Sequence, residues 1–424
     1  MRDFAPVLPT APFETDRLLA PAQAVAAYLS ATGLAPSGTE TIALDDAAGR
    51  VLAEDAVARE SHPAADRSTM DGFAVATAGG TAPRRIAGEI RMGAAPPAAL
   101  APGEAMRIPT GGGVPDGADA VVPIEDARET DGWVVPLEAP ERGAFITPAA
   151  SDLAAGTVAL GHGRRLGAPE LGVLATLGYA RVPVYRRPLV GVLSTGDELI
   201  DPGAPLAAGR IRDSNRYALA AALRAMGAEA VHLPRAADTP EALHAALAAA
   251  LERCDAVLTS GGSSVGARDL VPQIVRGLGR PGVVVHGLRV KPGKPTMLGA
   301  IGRRAVIGLP GNPTSSLAIL EAVVRPAIAA LTGERGARPV VLEARAAAAF
   351  AGRAGWTHVV PATLVLRAGV LEAEPIAIHS AHTSLLARAS GYVVLSETRS
   401  RIEAGAAVPV TLFSCGGAPI AFAS

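Results

Sequence analysis

The sequence has few aromatic residues, two cysteines and almost no net charge, and each shortage excludes a class of protein. Phe, Trp and Tyr make up 3% of its 424 residues, so the cores must be built from aliphatic side chains. Cys254 and Cys415 have no Cys-x-x-Cys partner, so neither a disulfide framework nor a zinc site is indicated. A formal charge of −1 gives no electrostatic reason to bind nucleic acid or a membrane surface.

Long apolar runs are also missing. Charged residues interrupt even the Ala-rich stretch from 217 to 251, so no segment has the length and composition of a membrane-spanning helix. The first residues, Met1 to Pro6, lack the apolar core of a secretory signal. We therefore expect a soluble cytoplasmic protein without nucleic-acid or membrane partners.

Aliphatic residues, glycine and proline are abundant, and they predict several domains with many turns. Hydrophobic residues make up 49% of the chain, which also contains 47 Gly and 35 Pro. A chain of this length exceeds one ordinary core, so two to four domains are expected. Strands alternate with helices from 187 to 334, the pattern of a doubly wound α/β domain. Short strand candidates predict a small β module over 53–142 and a β-barrel or sandwich over 337–424, whereas 149–177 has helical character.

Three apolar segments of the α/β region each run into a polar loop. The segments 189–193, 256–258 and 305–309 are followed by the loops 194–198, 260–264 and 310–316. Ligands of open α/β sheets bind beyond the carboxyl ends of the strands, so the three loops are predicted to meet at one site. Their glycines let the backbone approach a ligand, and their N–H and hydroxyl groups suit an anion. The competing interpretation of 308–316 is a simple turn between a strand and a helix.

Four acids lie in or just after predicted loops on the same side of the α/β domain: Asp197, Glu198, Asp238 and Asp269. Mg²⁺ binds one or two carboxylates together with substrate oxygens, so acids beside anion-binding loops are consistent with a divalent cation. Any single one of them could instead be a helix cap or a solvated loop acid.

The segment 290–295, Val-Lys-Pro-Gly-Lys-Pro, displays two ammonium groups on a loop stiffened by proline. Lys291 and Lys294 are suited to hold a phosphate or another tetrahedral oxyanion. The alternative is a surface turn with solvated lysines. The chain contains no Walker loop, and nothing in it resembles a Ser-His-Asp arrangement, so covalent catalysis is unsupported.

Together these motifs resemble the molybdopterin molybdenumtransferase family, which includes the MoeA proteins and the gephyrin E domain. The matching segments are 66–75, 107–125, 194–199, 211–215, 260–269, 291–295 and 308–316. The resemblance implies a MogA-like α/β domain at 187–334, on which residues 1–20 pack, and a C-terminal β-barrel at 337–424. It also implies a discontinuous, elongated linker domain formed by 21–52 and 143–186, and a small β module at 53–142.

By this resemblance the chain would insert molybdate into adenylylated molybdopterin, release AMP and use Mg²⁺. The implied catalytic residues are Asp66, Thr110, Glu198, Asp238, Asp269, Lys291 and Lys294, with Glu198 and Asp269 as metal ligands. The implied substrate-binding residues are Ser194, Thr195, Gly196, Asp197, Ser260, Gly261, Gly262, Ser263, Gly266, Pro310, Gly311, Asn312, Pro313, Thr314 and Ser315.

The resemblance further implies a homodimer whose active sites lie between the α/β domain of one chain and the β module of the other. Molybdopterin adenylyltransferase and molybdoenzyme-maturation proteins are the implied partners.

Three segments depart from the family pattern. The family has Ile-Arg followed by Gly-Glu-Asp where this chain has 146–152, with Thr147, Ala150 and Ser151 in place of Arg, Gly and Glu. The family's arginines around an aromatic residue correspond here to 355–361, which include Thr357 and Pro361. The third departure is 380–382, Ser-Ala-His, where a Ser-Gly pair is typical. Lost positive charge leaves open a non-catalytic molybdopterin-binding or cofactor-delivery paralog. The α/β domain alone also resembles an adenylyltransferase that acts on molybdopterin, which is a second alternative.

Overall fold

The structure, a computed structural model, describes residues 18–261, 270–377, 383–414 and 416–423. The first part of the chain forms the linker region and the β module. Its helices and strands are α1 (Pro21–Thr32), β1 (Thr39–Ala43), β2 (Ala56–Val57), β3 (Arg67–Ser68), β4 (Gly72–Val75), β5 (Arg84–Glu89), β6 (Glu104–Ile108), β7 (Ala120–Pro123), β8 (Ala127–Thr130), β9 (Trp133–Pro136), β10 (Ile146–Thr147), β11 (Val158–Leu160), α2 (Ala168–Thr176) and β12 (Arg181–Tyr185).

The β module is a six-stranded sheet with the order β7-β4-β6-β5-β9-β8. It is inserted into a region in which early and late segments pair, because β1 pairs with β12 and β2 pairs with β11. The predicted helical character of 149–177 is confirmed only for α2. Glycines at 156, 161 and 163 interrupt the Ala-rich residues before α2, which form turns and a short strand instead.

The central region is a three-layer α/β domain. Its elements are β13 (Leu189–Ser194), β14 (Leu199–Ile200), β15 (Ile211–Arg212), α3 (Asn215–Ala225), β16 (Glu229–His232), α4 (Pro240–Arg253), β17 (Ala256–Ser260), α5 (Leu270–Leu278), β18 (Pro281–His286), β19 (Val290–Lys291), β20 (Met297–Ile301), β21 (Arg304–Leu309), α6 (Pro313–Ile319) and α7 (Arg325–Thr332).

The main sheet has the order β16-β13-β17-β21-β20-β18. Strands β16, β13, β17 and β21 are parallel, whereas β20 and β18 are antiparallel additions. From β13 the chain passes first to β16 on one side and later to β17 on the other. The carboxyl ends of β13 and β17 therefore flank a topological switch point, where ligands bind in doubly wound folds.

A π-helical turn, Leu320–Val324, joins α6 and α7 into one buried helix. Among the described residues, Pro313–Thr332 is long and apolar enough to cross a membrane, but 67% of its apolar window is buried inside the protein, as in a core helix. The buried Glu321 of the π turn accepts a hydrogen bond from the Ser414 hydroxyl (2.8 Å) and pairs with Arg325. The bond from Ser414 attaches the C-terminal region to the α/β domain.

The C-terminal region is a β-barrel, as the family resemblance predicts. Its elements are β22 (Val341–Ala346), β23 (Phe350–Ala351), β24 (Thr357–Arg367), β25 (Val370–Pro375), α8 (Ser384–Ala387), β26 (Gly391–Leu395), β27 (Arg401–Ile402), β28 (Ala407–Leu412) and β29 (Ala421–Ala423). The order β24-β25-β22-β28-β26 closes through pairing of β26 with β24. Short β19 of the α/β domain also pairs with β24.

Candidate functional site

The three polar loops predicted from the sequence follow neighbouring strands. Ser194, at the end of β13, is in register with Ser260 at the end of β17, and Ser260 is in register with Leu309 at the end of β21. The N–H of Thr195 donates to the carbonyl of Ser260 (3.1 Å). The structure therefore brings the starts of all three loops to one edge of the sheet; we call this edge the strand-tip site.

Part of the predicted site lies outside the described residues. Gly262, Ser263, Gly266 and Asp269 belong to the segment 262–269, so their substrate-binding, catalytic and metal-binding roles stay predictions. Within the described chain, the strand-tip site contains 194–197, 260–261 and 310–315. Most of its hydroxyl side chains are buried, and the Oγ of Ser194 and Oγ1 of Thr195 have no hydrogen-bond partner among those described residues.

Lys291 and Lys294 are the only lysines in the sequence. Lys291 is exposed, and in the parallel β19–β24 ladder it stands opposite His358 of the barrel. Gly293 has φ 113°, and a Cβ there would lie 2.2 Å from Cδ1 of Ile319 on α6. Only glycine allows this close approach, so the lysine loop is held against the helix that begins at the strand-tip site.

A cavity of about 920 Å³ is lined by both the lysine loop and the barrel. The chain's two lysines line it together with residues of the loop after β21 and its helix. The barrel supplies the opposite wall. The lining residues with polar or aromatic side chains are Lys291, Lys294, Asn312, Ser315, Arg353, Trp356 and His358. An open cleft with cationic and hydroxyl groups on its walls is suited to an anionic ligand.

His358 is a cavity residue to which sequence reasoning assigned no role. Its Nε2 accepts a hydrogen bond from the backbone N–H of Arg353 (2.8 Å), which requires the unprotonated nitrogen. Burial lowers the pKa of His358, and the positive charge of Lys291 lowers it further. The guanidinium of Arg353 lies 5.5 Å from the ring centroid of Trp356. The barrel wall thus combines a neutral imidazole with a cation stacked on an indole.

The predicted acids Asp197, Glu198 and Asp238 are all exposed and lie outside the cavity that the lysines line. Glu198 is exposed, and its carboxylate covers Gly196 so closely that a Cβ there would lie 2.6 Å from Oε2. Asp197 is exposed, and its carbonyl accepts from Arg210. Asp238 is exposed beside Thr239, which caps α4 by accepting from the N–H of Ala242 (3.3 Å). None of these acids lines the cavity in the described part of the chain.

Two described carboxylates are candidate ligands for a divalent cation. Mg²⁺ prefers carboxylate oxygens, and Glu198 offers an exposed carboxylate in the loop after β13. Asp213, just before α3, is 3% exposed, and its Oδ2 has no partner among the described residues. No group of three or more His, Cys, Asp or Glu side chains forms a metal cluster in those residues. Asp269 lies outside them, so a site made by Glu198 and Asp269 stays a prediction.

Asp66 and Thr110 lie in loops of the β module, outside the sheet that carries the strand-tip site. Asp66 accepts from the N–H of Ala149 (2.8 Å). The N–H of Thr110 donates to Asp71 (2.6 Å), and this hydrogen bond lowers the pKa of Asp71. Among the described residues that line the cavity, neither Asp66 nor Thr110 is included. One chain therefore presents two separate groups of predicted catalytic residues.

Three family profiles match consecutive parts of the chain. Residues 19–178 match the MoeA N-terminal region (domain I and II), 191–330 match a probable molybdopterin binding domain, and 343–413 match the MoeA C-terminal region (domain IV). The chain belongs to the MoeA family. The expected family and the expected fold class, α/β plus β with a MogA-like domain and a C-terminal barrel, are both confirmed.

Curated relatives in the MoeA family are named molybdopterin molybdenumtransferase. The relative from Nostoc sp. is 38% identical over 289 residues, which cover 66% of this chain and 66% of the relative. The relative from Haemophilus influenzae is 36% identical over 66% of this chain and 70% of its own length. The Bacillus subtilis relative is 38% identical over 65% of this chain and 67% of its own length.

Solved MoeA structures match almost the whole chain. One molybdopterin biosynthesis MoeA protein from Pyrococcus horikoshii is 31% identical, with a TM-score of 0.77 over 94% of this chain and 99% of that one. A second structure from the same organism has 25% identity and a TM-score of 0.82, and the match covers 94% of this chain and 100% of that one. The similarity thus includes the linker region, the β module, the α/β domain and the barrel.

Proposed function

We propose that this chain is a molybdopterin molybdenumtransferase that inserts molybdate into adenylylated molybdopterin and releases AMP. The observation that carries the proposal is that both lysines of the chain line one cavity together with Asn312 and Ser315, which follow β21 at the strand-tip site. Adenylylated molybdopterin carries phosphate groups, AMP is an anionic leaving group, and molybdate is a tetrahedral dianion. Cations and hydroxyls in a cleft are the groups that bind such ligands.

In this mechanism Lys291 and Lys294 bind anionic oxygens of the substrates, and Asn312 and Ser315 orient the ligand by hydrogen bonds. The serines and threonines of the strand tips hold the molybdopterin phosphate. Turnover breaks the phosphoanhydride bond, with a water as nucleophile and AMP as leaving group. Asp238 would orient this water. Preformed cations need not reorganise as charge shifts to the leaving phosphate, which lowers the barrier.

Glu198 and Asp269 would hold Mg²⁺ through their carboxylate oxygens. When bound, the cation neutralises charge on the phosphoanhydride oxygens and so helps AMP to leave. The β module of a second subunit would bring Asp66 and Thr110 to the same site in a homodimer. Molybdopterin adenylyltransferase would supply the substrate and molybdoenzyme-maturation proteins would receive the product, in the cytoplasm.

The deciding experiment is to incubate the purified protein with adenylylated molybdopterin, molybdate and Mg²⁺ and to measure AMP by chromatography. We expect AMP release that depends on molybdate and is lost when EDTA replaces Mg²⁺. Binding of molybdopterin without AMP release would instead identify a cofactor-binding or delivery protein, an alternative favoured by Thr147, Ala150 and Ser151 at the positions of the family's Arg, Gly and Glu. Consumption of ATP with unmodified molybdopterin would indicate an adenylyltransferase.

Amine labelling gives an independent test of where the ligand binds. Because the chain has two lysines, the only amines that acetic anhydride can acetylate are those of Lys291, Lys294 and the N-terminus. Saturating molybdopterin should protect the two lysines and leave labelling of the N-terminus unchanged, as measured by mass spectrometry of peptides. Equal labelling of the lysines with and without ligand would reject the proposed site.

A further inference from the structure

The structure assigns to Asn215, the first residue of α3, the role of a positioning residue for the strand-tip site. We infer that its amide holds the tip of β17 and the loop after β21 together and orients the Ser260 hydroxyl toward the ligand. This inference rests on the proposed function, in which Ser260 and Gly311 belong to the substrate-binding loops.

The amide of Asn215 bridges two loops that are far apart in sequence. Asn215 is 8% exposed, and its Nδ2 donates to the Oγ of Ser260 (2.6 Å) and to the carbonyl of Gly311 (2.7 Å). The orientation of the amide follows from chemistry, because a backbone carbonyl can only accept and so must face the nitrogen. Both N–H groups of Asn215 are then used, one for each loop.

The first of these bonds determines where the Ser260 proton can point. A serine hydroxyl has one hydrogen to donate and two lone pairs to accept with. With a lone pair occupied by Asn215, the hydrogen must be directed elsewhere, and within the described chain Ser260 Oγ makes only the bond that it accepts from Asn215. Ser260 is 3% exposed and ends the strand that borders the switch point. Its hydroxyl is therefore available as a donor to an anionic oxygen.

The second bond orients a backbone donor. Since the peptide unit is planar and trans, the carbonyl of Gly311 and the N–H of Asn312 point in opposite directions. Holding this carbonyl on α3 directs the N–H of Asn312 away from α3. Asn312 itself lines the cavity beside the lysine loop. One buried amide thus positions a hydroxyl donor and a backbone donor at once.

Hydrogen exchange in the ligand-free protein tests the positioning itself. The amides of Thr195, bonded to the Ser260 carbonyl, and of Ser316, bonded to the Asn312 carbonyl, report on the two loops. In Asn215→Ala we expect both to exchange about tenfold faster, the effect of losing roughly one hydrogen bond. Asn215→Asp should behave like Asn215→Ala, because a carboxylate of the same shape cannot donate. Exchange as in the native protein in either variant would overturn the inference.

Tyr217→Ala is the matched control. Tyr217 lies on the same first turn of α3 but is 48% exposed, and its ring contacts His232 instead of the loops. We expect native exchange at Thr195 and Ser316 in this variant. If Tyr217→Ala also accelerates exchange at Thr195 and Ser316, general loosening of α3 explains the effect and the specific role of Asn215 is rejected. If Asn215→Ala does not fold, Asn215→Asp, which preserves the side-chain volume, decides.

A double-mutant cycle with Ser260→Ala tests whether Asn215 acts through that hydroxyl. We expect each single variant to raise KM for adenylylated molybdopterin about tenfold with kcat little changed, and the double variant to be no worse than the more affected single variant. If the increases in KM of the two single variants multiply in the double variant, Asn215 does not act through Ser260. If the native protein releases no AMP, the proposed function fails, whereas the exchange experiment still decides the role of Asn215.

Discussion

At the scale of single residues, lysine occurs in this chain only in the loop of the proposed binding site, and all other basic Lys or Arg positions are arginine. The sequence contains 39 basic Lys and Arg residues, and the two that are lysine both lie in the loop that lines the cavity. Guanidinium and ammonium groups are not equivalent: arginine is a broad planar fork, whereas lysine is a compact charge with three donors. A loop that must admit a tetrahedral anion into a restricted space favours the compact group.

Replacing Lys291 should therefore abolish or strongly reduce turnover. We expect Lys291→Ala to lower kcat/KM at least about a hundredfold, and Lys291→Arg, despite its retained charge, to lower it about tenfold. Because Lys291 is exposed, the melting temperature should stay close to that of the native protein. AMP release and thermal unfolding measured on the same samples check both points.

Arg303→Ala removes one exposed positive charge from a turn of the same domain and serves as the control. It should retain native turnover. A parallel loss of activity and stability in Lys291→Ala would favour a structural role for this lysine.

Ala150, one of the departures from the family pattern, has a strained backbone conformation. It has φ 60°, a left-handed conformation that disfavours any residue with a Cβ, at the position where the family has glycine. We expect Ala150→Gly to stabilise the protein by about 0.5 kcal/mol, since relief of strain exceeds the added entropy of the unfolded chain. Urea unfolding measures this difference. The neighbouring Ala149→Gly, at an ordinary backbone conformation, should destabilise instead, and stabilisation by both changes would contradict the explanation.

At the scale of elements, the β19–β24 ladder connects the lysine loop to the barrel. Lys291 and His358 are partners in this ladder, and the N–H of Thr357 donates to the carbonyl of Arg289 (3.1 Å). The cavity therefore has walls from two domains whose separation is set by backbone hydrogen bonds. An imidazole beside an ammonium group makes this connection sensitive to pH.

The lowered pKa of His358 predicts a loss of stability in acid. Burial and Lys291 keep the folded-state pKa below the ordinary value of 6.5, so the unfolded chain takes up the proton first as pH falls. Stability should thus be highest above about pH 6.5 and decrease below it. We expect the urea midpoint to fall between pH 7.5 and 5.5, and to fall less in His358→Gln. His244→Gln, at an exposed site on α4, should keep the native pH dependence.

At the scale of the whole molecule, the predicted catalytic residues form two groups. Asp66 and Thr110 belong to the β module, and the lysines belong to the cavity of the α/β domain. A homodimer that joins the module of one chain to the cavity of the other would complete the site. We expect light scattering to give twice the chain mass of 42.7 kDa.

Coexpression of two inactive variants tests whether the site is shared between subunits. In a shared site, Asp66→Ala and Lys291→Ala are each inactive as homodimers, but their heterodimer contains one site with both native residues. Random assembly should restore about one quarter of the native AMP release per chain. Coexpression of Asp66→Ala with Thr110→Ala, which lie in the same module, should restore none. Absence of recovery in the first pair would place the complete site within one chain.

Sequence patterns predicted the elements of the α/β domain well and other segments less well. The apolar segments predicted before the three loops are strands β13, β17 and β21 in the structure. The prediction failed at 149–167, because Ala and Leu favour a helix locally while the intervening glycines allow the turns that the structure contains. Tertiary contacts, not local sequence, place α1 on the α/β domain. Tyr28 is buried in the α/β core, and its hydroxyl donates to the carbonyl of Gly299 (2.9 Å).

The sequence alone determined which chemical groups this protein can offer, since loops rich in Gly, Ser, Thr and Lys after apolar strands are local patterns. It also determined the family, because the motifs and their order are a property of the chain. Only the tertiary structure decided that His358 lines a cavity with the lysines, that Asn215 joins two loops and that Asp66 lies outside that cavity. These relations depend on contacts between residues distant in sequence, and such contacts are set by how whole sheets and domains pack.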